Sequence, residues 1–72
     1  MRTYNIRGPC PELAITLARA MEELAPGEQA LFVTRWRYVA EDIRSAAPSM
    51  GFEVLSVTER GGNVEILVRK RA

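Results

Sequence analysis

Apolar residues recur along this chain with two different periods, and each change of period marks a new element. Spacings of three and four positions predict two amphipathic helices, over residues 11–25 and 37–47. Short apolar runs and strict alternation predict four strands, over residues 3–7, 29–34, 52–59 and 64–70. The pair Gly61-Gly62 predicts a tight hairpin between the last two strands. The element order is therefore βαβαββ.

The apolar stripes of the two helices indicate which residues form the core. In the first helix we expect the stripe to contain Leu13, Leu17, Ala20, Met21 and Leu24. In the second helix we expect it to contain Val39, Ile43, Ala46, Ala47 and Met50. Pro48 removes a helix hydrogen bond, so this helix should end or kink near Ala47.

This order predicts an α/β (α+β) two-layer sandwich. Strands 1 and 2 are joined through a helix and should be parallel, whereas strands 3 and 4 should form an antiparallel hairpin. A four-stranded mixed sheet results, with both helices on one face if so short a chain is to have one core. We expect a single domain over residues 1–72.

Composition excludes several classes of function. A formal net charge of +1 argues against direct nucleic-acid binding, which needs a basic surplus. With no histidine and one cysteine, the chain offers no zinc site of the usual kind, and we expect neither a metal nor a cofactor. No apolar run is long enough to span a membrane, and no signal-peptide core is evident. A lone thiol in such a chain fits the reducing cytoplasm.

The single cysteine, Cys10, is the residue most suggestive of chemistry. It is followed by Pro11 and Glu12 at the start of the first predicted helix, and Gly8 lies just before it. Proline suits the first helical position, so Cys10 should lie at or just before the N-cap. Free N–H groups and the helix dipole favour an anion there, which makes a thiol easier to deprotonate. Glu12 acts in the opposite direction, by charge repulsion.

The topology gives Cys10 a predicted neighbour. The loops after strands 1 and 2 leave the sheet at the same end, where ligands usually bind in α/β proteins. Arg35, Trp36 and Arg37 belong to the second loop. We therefore consider these three residues as a contact for a partner or an anion, against the alternative of an ordinary solvated face.

The absence of other reactive groups limits the chemistry of Cys10. Because it has no histidine, the chain cannot be a Cys–His hydrolase, and because it has no second cysteine, it cannot run a dithiol–disulfide redox cycle by itself. An activated cysteine can still accept a group, hold it and pass it to another protein. This would be a carrier with a nucleophilic cysteine rather than a free-standing turnover enzyme.

Several landmarks resemble the TusA/SirA-like sulfur-carrier family. They are the Cys-Pro-Glu beginning at Cys10, the Pro-Gly-Glu beginning at Pro26, the segment 51–57 and the Gly61-Gly62 hairpin. The resemblance spans about residues 4–70. It departs from the family pattern at Leu13, which stands where the family has a second proline, and in the short spacing between Gly8 and Cys10.

The resemblance implies that Cys10 carries sulfur as a persulfide. It implies a cysteine desulfurase or rhodanese-type protein as the donor, and a sulfur-acceptor protein in tRNA thiolation, cofactor synthesis or sulfur metabolism. An alternative stays open: a non-catalytic binding or regulatory module that keeps the fold and docks a partner through the Arg35-Trp36-Arg37 edge.

Overall fold

The computed structural model describes residues 2–7 and 12–71, and in these ranges the chain forms four strands and two α-helices. The strands are β1 (Arg2–Ile6), β2 (Gln29–Thr34), β3 (Phe52–Arg60) and β4 (Asn63–Lys70). The helices are α1 (Glu12–Glu23) and α2 (Arg37–Ala46). The order βαβαββ and the α+β sandwich predicted from the sequence are confirmed.

The sheet has the strand order β1-β2-β4-β3. β1 is parallel to β2, whereas β4 is antiparallel to both of its neighbours, β2 and β3. This mixed sheet places β2 and β4 in the centre. In the apolar run over residues 30–33, Ala30 and Phe32 are buried in the core, whereas Leu31 and Val33 on the other face are only half-buried. β1 and β3 form the two edges.

One face of the sheet is buried and the other is only partly covered. Alternate strand residues fall on the buried face, in register across the strands: Tyr4, Ile6, Ala30, Phe32, Thr34, Phe52, Val64, Ile66 and Val68. The helices cover this face with Leu13, Leu17, Ala20, Leu24, Val39, Ala40, Ile43 and Ala47. Both predicted helical stripes are thus largely correct, and the core lies between one helix layer and one sheet layer.

Met21 was predicted in the core, and this prediction is wrong, because the residue is 42% exposed. Met21 follows Leu17 by four positions and precedes Leu24 by three, so spacing alone places it at the margin of the stripe. The observed stripe includes Thr16 instead, which is buried on the other side of Leu13. The helix is therefore rotated slightly from the predicted orientation.

The second helix ends where its proline predicts. α2 stops at Ala46, and a single 3₁₀ turn follows over Pro48–Met50. Gly51 then adopts a φ of +88°, in the left-handed region that glycine reaches without strain. This turn reverses the chain so that Phe52 enters the core at the start of β3.

Two long-range polar contacts join the helix layer to the sheet. The Tyr4 hydroxyl donates a hydrogen bond to Oε1 of Glu23 at 2.7 Å. Nζ of Lys70, at the end of β4, donates to the carbonyl oxygens of Met21 at 2.5 Å and Leu24 at 2.9 Å. Both contacts fix the carboxyl end of α1 over the sheet.

Candidate functional site

The carboxyl ends of β1 and β2 lie level with each other. Their parallel register pairs Ile6 with Thr34, so Arg7 and Arg35 leave the sheet at the same end. The antiparallel pairing of Thr34 with Val64 brings the start of β4 to this end of the sheet as well. Residues that follow β1, follow β2 and precede β4 therefore meet in one place.

A groove opens across this end of the sheet. Its first part has a volume of about 450 Å³ and is lined by Asn5, Ile6, Arg7, Val33, Thr34, Arg35, Trp36 and Asn63. Its second part, of about 300 Å³, is lined by Arg35, Arg37, Glu59, Arg60, Gly61, Gly62, Asn63 and Val64. Because Arg35 and Asn63 belong to both parts, we treat them as one feature and call it the strand-end groove.

A local hydrogen bond shapes the chain between β2 and α2. The backbone N–H of Trp36 donates to Oγ1 of the buried Thr34 at 3.3 Å. Trp36 is the N-cap residue of α2 and has extended dihedral angles (φ −107°, ψ 126°). Trp36 is 37% exposed and lines the groove, so it forms part of the groove wall rather than part of the core.

The three residues of the Arg35-Trp36-Arg37 edge have different surroundings. Arg37 forms an exposed ion pair with Glu59 of β3. Arg35 has no ion-pair or hydrogen-bond partner among the residues that the structure describes. Arg35 is therefore the member of the edge whose guanidinium remains available to a ligand.

The groove is positively charged. Among the described residues that line it are four arginines (Arg7, Arg35, Arg37 and Arg60) and one glutamate, Glu59. The start of α2 adds to this charge, because its first turn contains no acidic residue to offset the positive end of the helix dipole. The arrangement favours the binding of an anionic group.

Part of the site predicted from the sequence falls outside the described residues. Gly8, Cys10 and Pro11 lie there, in the connection between Arg7 and the first residue of α1. Glu12 begins α1, as the sequence predicted for a residue of the first turn, but nothing is described of its side chain. The proposed roles of these residues stay predictions.

Sequence reasoning missed the residues that reach the groove from other strands. Asn63, Glu59 and Arg60 belong to the predicted hairpin, but the pattern of apolar residues did not show that β4 lies beside β2. Asn5 and Arg7 were predicted only as residues of the first strand. The available signal was the number of arginines close to strand ends, which acquires meaning only once the strand order is known.

The described ranges contain neither a metal-binding cluster nor a membrane-spanning helix. No group of three or more acidic, histidine or cysteine side chains there has an arrangement that would hold a metal ion. None of the helices in that part of the chain is sufficiently long and apolar to cross a membrane.

Comparison with known proteins places this architecture. A SirA-like protein from Desulfitobacterium hafniense has a crystal structure that matches with a TM-score of 0.79 at 21% sequence identity, over 100% of both chains. The solution structure of a Helicobacter pylori protein matches with a TM-score of 0.73 at 22% identity, again over 100% of both chains. At these identities the likeness shows a shared fold.

Sequence comparison gives the family. No functionally curated protein matched the chain. The family model described as "Sulfurtransferase TusA", however, matches residues 2–70, which is almost the whole chain and includes Cys10. The resemblance inferred from the Cys-Pro-Glu motif and the later landmarks is thereby confirmed. This protein belongs to the TusA sulfurtransferase family.

Proposed function

We propose that this protein accepts sulfur as a persulfide on Cys10 and relays it to an acceptor protein. The observation that carries the proposal is the family match over residues 2–70, since membership of the TusA family supports a sulfur-carrier role. Cys10 is the only cysteine of the chain and hence its only thiol. A covalent carrier of sulfur needs such a nucleophile.

The transfer step requires no outside oxidant or reductant. The Cys10 thiolate attacks the outer sulfur of a persulfide on the donor protein. A new S–S bond forms on Cys10, the S–S bond of the donor breaks, and the donor cysteine leaves as a thiolate. The same exchange then moves the outer sulfur from Cys10 to a thiolate of the acceptor.

The strand-end groove supports this chemistry by its charge. The chain that contains Cys10 connects Arg7, which lines the groove, to the first residue of α1. Positive charge and a helix N-terminus favour a thiolate over a thiol. We propose that Gly8, Pro11 and Glu12 shape this helix start.

The donor that we propose is a cysteine desulfurase or a rhodanese-type protein, and the exchange takes place in the cytoplasm. The acceptor belongs to a sulfur relay for tRNA thiolation, cofactor synthesis or sulfur metabolism. Arg35, Trp36 and Arg37 serve as contacts for these proteins. We propose that the protein contacts neither nucleic acid nor a membrane directly.

Mass spectrometry tests the loading step. Wild type and a Cys10→Ala variant are incubated either with a cysteine desulfurase and cysteine or with a rhodanese-type protein that carries a persulfide. Their intact masses are recorded before and after a thiol reductant. We expect wild type to gain the mass of one sulfur atom, the reductant to remove it, and the variant to gain nothing. A wild type without this reductant-sensitive gain, tested with both donor classes, would refute the carrier function.

A second candidate function is a non-catalytic module that docks a partner. Two features favour it: Trp36 is exposed, and the Arg35 guanidinium has no partner among the described residues, so the core uses neither side chain. In this case the Cys10→Ala variant still binds the partner, and cells that carry it in place of wild type show no change of phenotype. Loss of the phenotype in Cys10→Ala, with binding retained, would instead support the carrier.

A further inference from the structure

The strand-end groove concentrates positive charge that the chain as a whole lacks. The full sequence has ten basic and nine acidic residues. Four of the arginines line this one groove among its described residues, against a single glutamate. A cleft lined by one sign of charge raises the local concentration of ligands of the opposite sign. The ligand of this groove should therefore be acidic.

The pairing of the arginines indicates which guanidinium group is available to hold a ligand. Arg37 is paired with Glu59, and Nε of Arg60 lies 4.0 Å from Oε1 of Glu65. Arg35 has no such partner among the described residues and lines both parts of the groove. Its fork of N–H donors fits a carboxylate in a bidentate manner. Arg35 is thus the anchor.

The shape of the groove favours an extended polypeptide over a single small anion. It runs across the ends of β1, β2 and β4 to the β3–β4 hairpin, and neighbouring strands lie about 4.8 Å apart. The path is therefore about 14 Å long, the length of about four residues of extended chain. The exposed Trp36 offers an apolar ring to such a chain.

Two features make a nucleic acid the poorer occupant. The chain has a net charge of only +1, so it lacks the basic surplus that a long run of phosphates needs. Within the groove, the carboxylate of Glu59 would repel a continuous row of phosphates. A short run of carboxylates that ends at the groove does not need this surplus, and it brings fewer negative charges against Glu59 than a continuous row of phosphates does.

We propose that the strand-end groove binds a short acidic, extended segment of the protein that exchanges sulfur with Cys10, with Arg35 as its anchor. The identity of the partner as donor or acceptor rests on the proposed function. The binding itself does not need Cys10. The groove would hold the partner beside the connection that contains the thiol.

Trp36 supplies a direct readout, because it is the only tryptophan of the chain and lines the groove. Its fluorescence is recorded during titration with a hexaglutamate peptide at low salt. We expect a saturable change that weakens as salt is raised, since exposed charge pairs are screened. A hexalysine peptide should give no saturable change.

Charge reversal locates the binding. Arg35→Glu should weaken the affinity for hexaglutamate about tenfold, or about 1.4 kcal/mol, because an attraction becomes a repulsion. The matched control is Arg71→Glu, the same change of charge at an exposed residue at the opposite end of the sheet, next to Pro26 and Gly27. This control should retain the wild-type affinity within about twofold.

A gain of affinity provides an independent check. Glu59→Gln removes the one acidic side chain among the described residues of the groove and releases the guanidinium of Arg37. Hexaglutamate should then bind about threefold more tightly than it binds wild type. A role of Arg35 and Glu59 in stability alone would not produce this increase.

Three results would overturn the inference. They are no saturable change up to about 10 mM peptide, equal weakening by the Arg35 and Arg71 variants, and tighter binding of a hexauridylate RNA than of hexaglutamate. The result for RNA would make the groove a nucleic-acid site. A wild type that is loaded with sulfur but does not bind the peptide refutes this inference alone. A wild type that binds the peptide but is never loaded refutes the relay alone.

Discussion

Lys70 contributes to stability through a contact that crosses almost the whole sequence. Its ammonium group, at the end of β4, donates to the carbonyl oxygens of Met21 and Leu24, in and just past the last turn of α1. α1 has no basic residue of its own in that turn. The last carbonyls of a helix lack intrahelical partners and form the negative end of its dipole. Lys70→Met should therefore destabilise the fold.

The two hydrogen bonds set the size of the loss. A hydrogen bond to a charged group contributes about 1.5–3 kcal/mol when buried, and exposed ion pairs contribute about 0.2–1 kcal/mol. The bond to Met21 is exposed and the bond to Leu24 is partly buried. We assign about 0.5 kcal/mol to the bond with Met21 and about 1 kcal/mol to the bond with Leu24. The loss of both bonds should then lower the free energy of unfolding by about 1.5 kcal/mol. For a domain of this size, Tm should fall by about 6–12 °C.

Urea and thermal unfolding, followed by far-UV circular dichroism, measure this loss. The control is Arg71→Met, which removes the same charge at the next residue. The Arg71 side chain forms no hydrogen bond or ion pair within the described part of the chain. The control should cost no more than about 0.5 kcal/mol, as is usual for a surface substitution. Equal losses in the two variants would show that Lys70 acts only through net charge.

Two further predictions concern a buried phenol and a left-handed turn. Burial, and then the hydrogen bond to Glu23, raise the pKa of Tyr4 above its ordinary value of 10.0. The corresponding stability is complete below pH 10 and is lost as the pH rises through the folded pKa. In Tyr38→Phe, where Tyr4 is the only tyrosine left, an absorbance titration should have its midpoint above pH 10, and a midpoint at or below 10 would contradict this. In Gly51→Ala the new methyl group meets no neighbouring atom, but the alanine must adopt a φ of +88°. Urea unfolding should therefore show a free energy of unfolding lower by about 1 kcal/mol. An unchanged unfolding midpoint would exclude strain at this turn.

Patterns with a strict period predicted the fold well. β4 alternates between buried Val64, Ile66 and Val68 and less buried residues between them, as a strand with one covered face should. Pro48 marked the end of α2 to within one residue, because the effect of proline on a helix is local and steric. These features depend on neighbours in sequence, so the sequence is sufficient to predict them.

Features that depend on distant residues could not be predicted in this way. Lys70 reads as part of a basic chain end, and only the sheet shows that it reaches the carboxyl end of α1. Arg37 reads as a partner of Arg35 in a basic edge, yet Glu59 from β3 pairs with it. Both contacts require the strand order, which the spacing of apolar residues does not determine.

The candidate site is predictable only in outline. The sequence indicated that the loops after β1 and β2 leave the sheet at one end, and the parallel register confirms that these strands are neighbours. It did not indicate that the hairpin with Arg60 and Asn63 closes the other side of the groove. A side chain that comes from a third strand has no signature in the spacing of the first two.

The position of the groove explains how a partner preference can be encoded without disturbing the core. Thr34 is buried and orients the β2–α2 connection, whereas Arg35, Trp36 and Arg37 directly after it are exposed. Exposed residues of a connection contribute little to stability, so their charge is free to vary with the partner. Glu59 and Arg60 are likewise exposed, on an edge strand whose core residue is Phe52 at its far end. The fold therefore requires the small and apolar residues beneath the groove, while the charges above it are available to select the acidic partner that we propose.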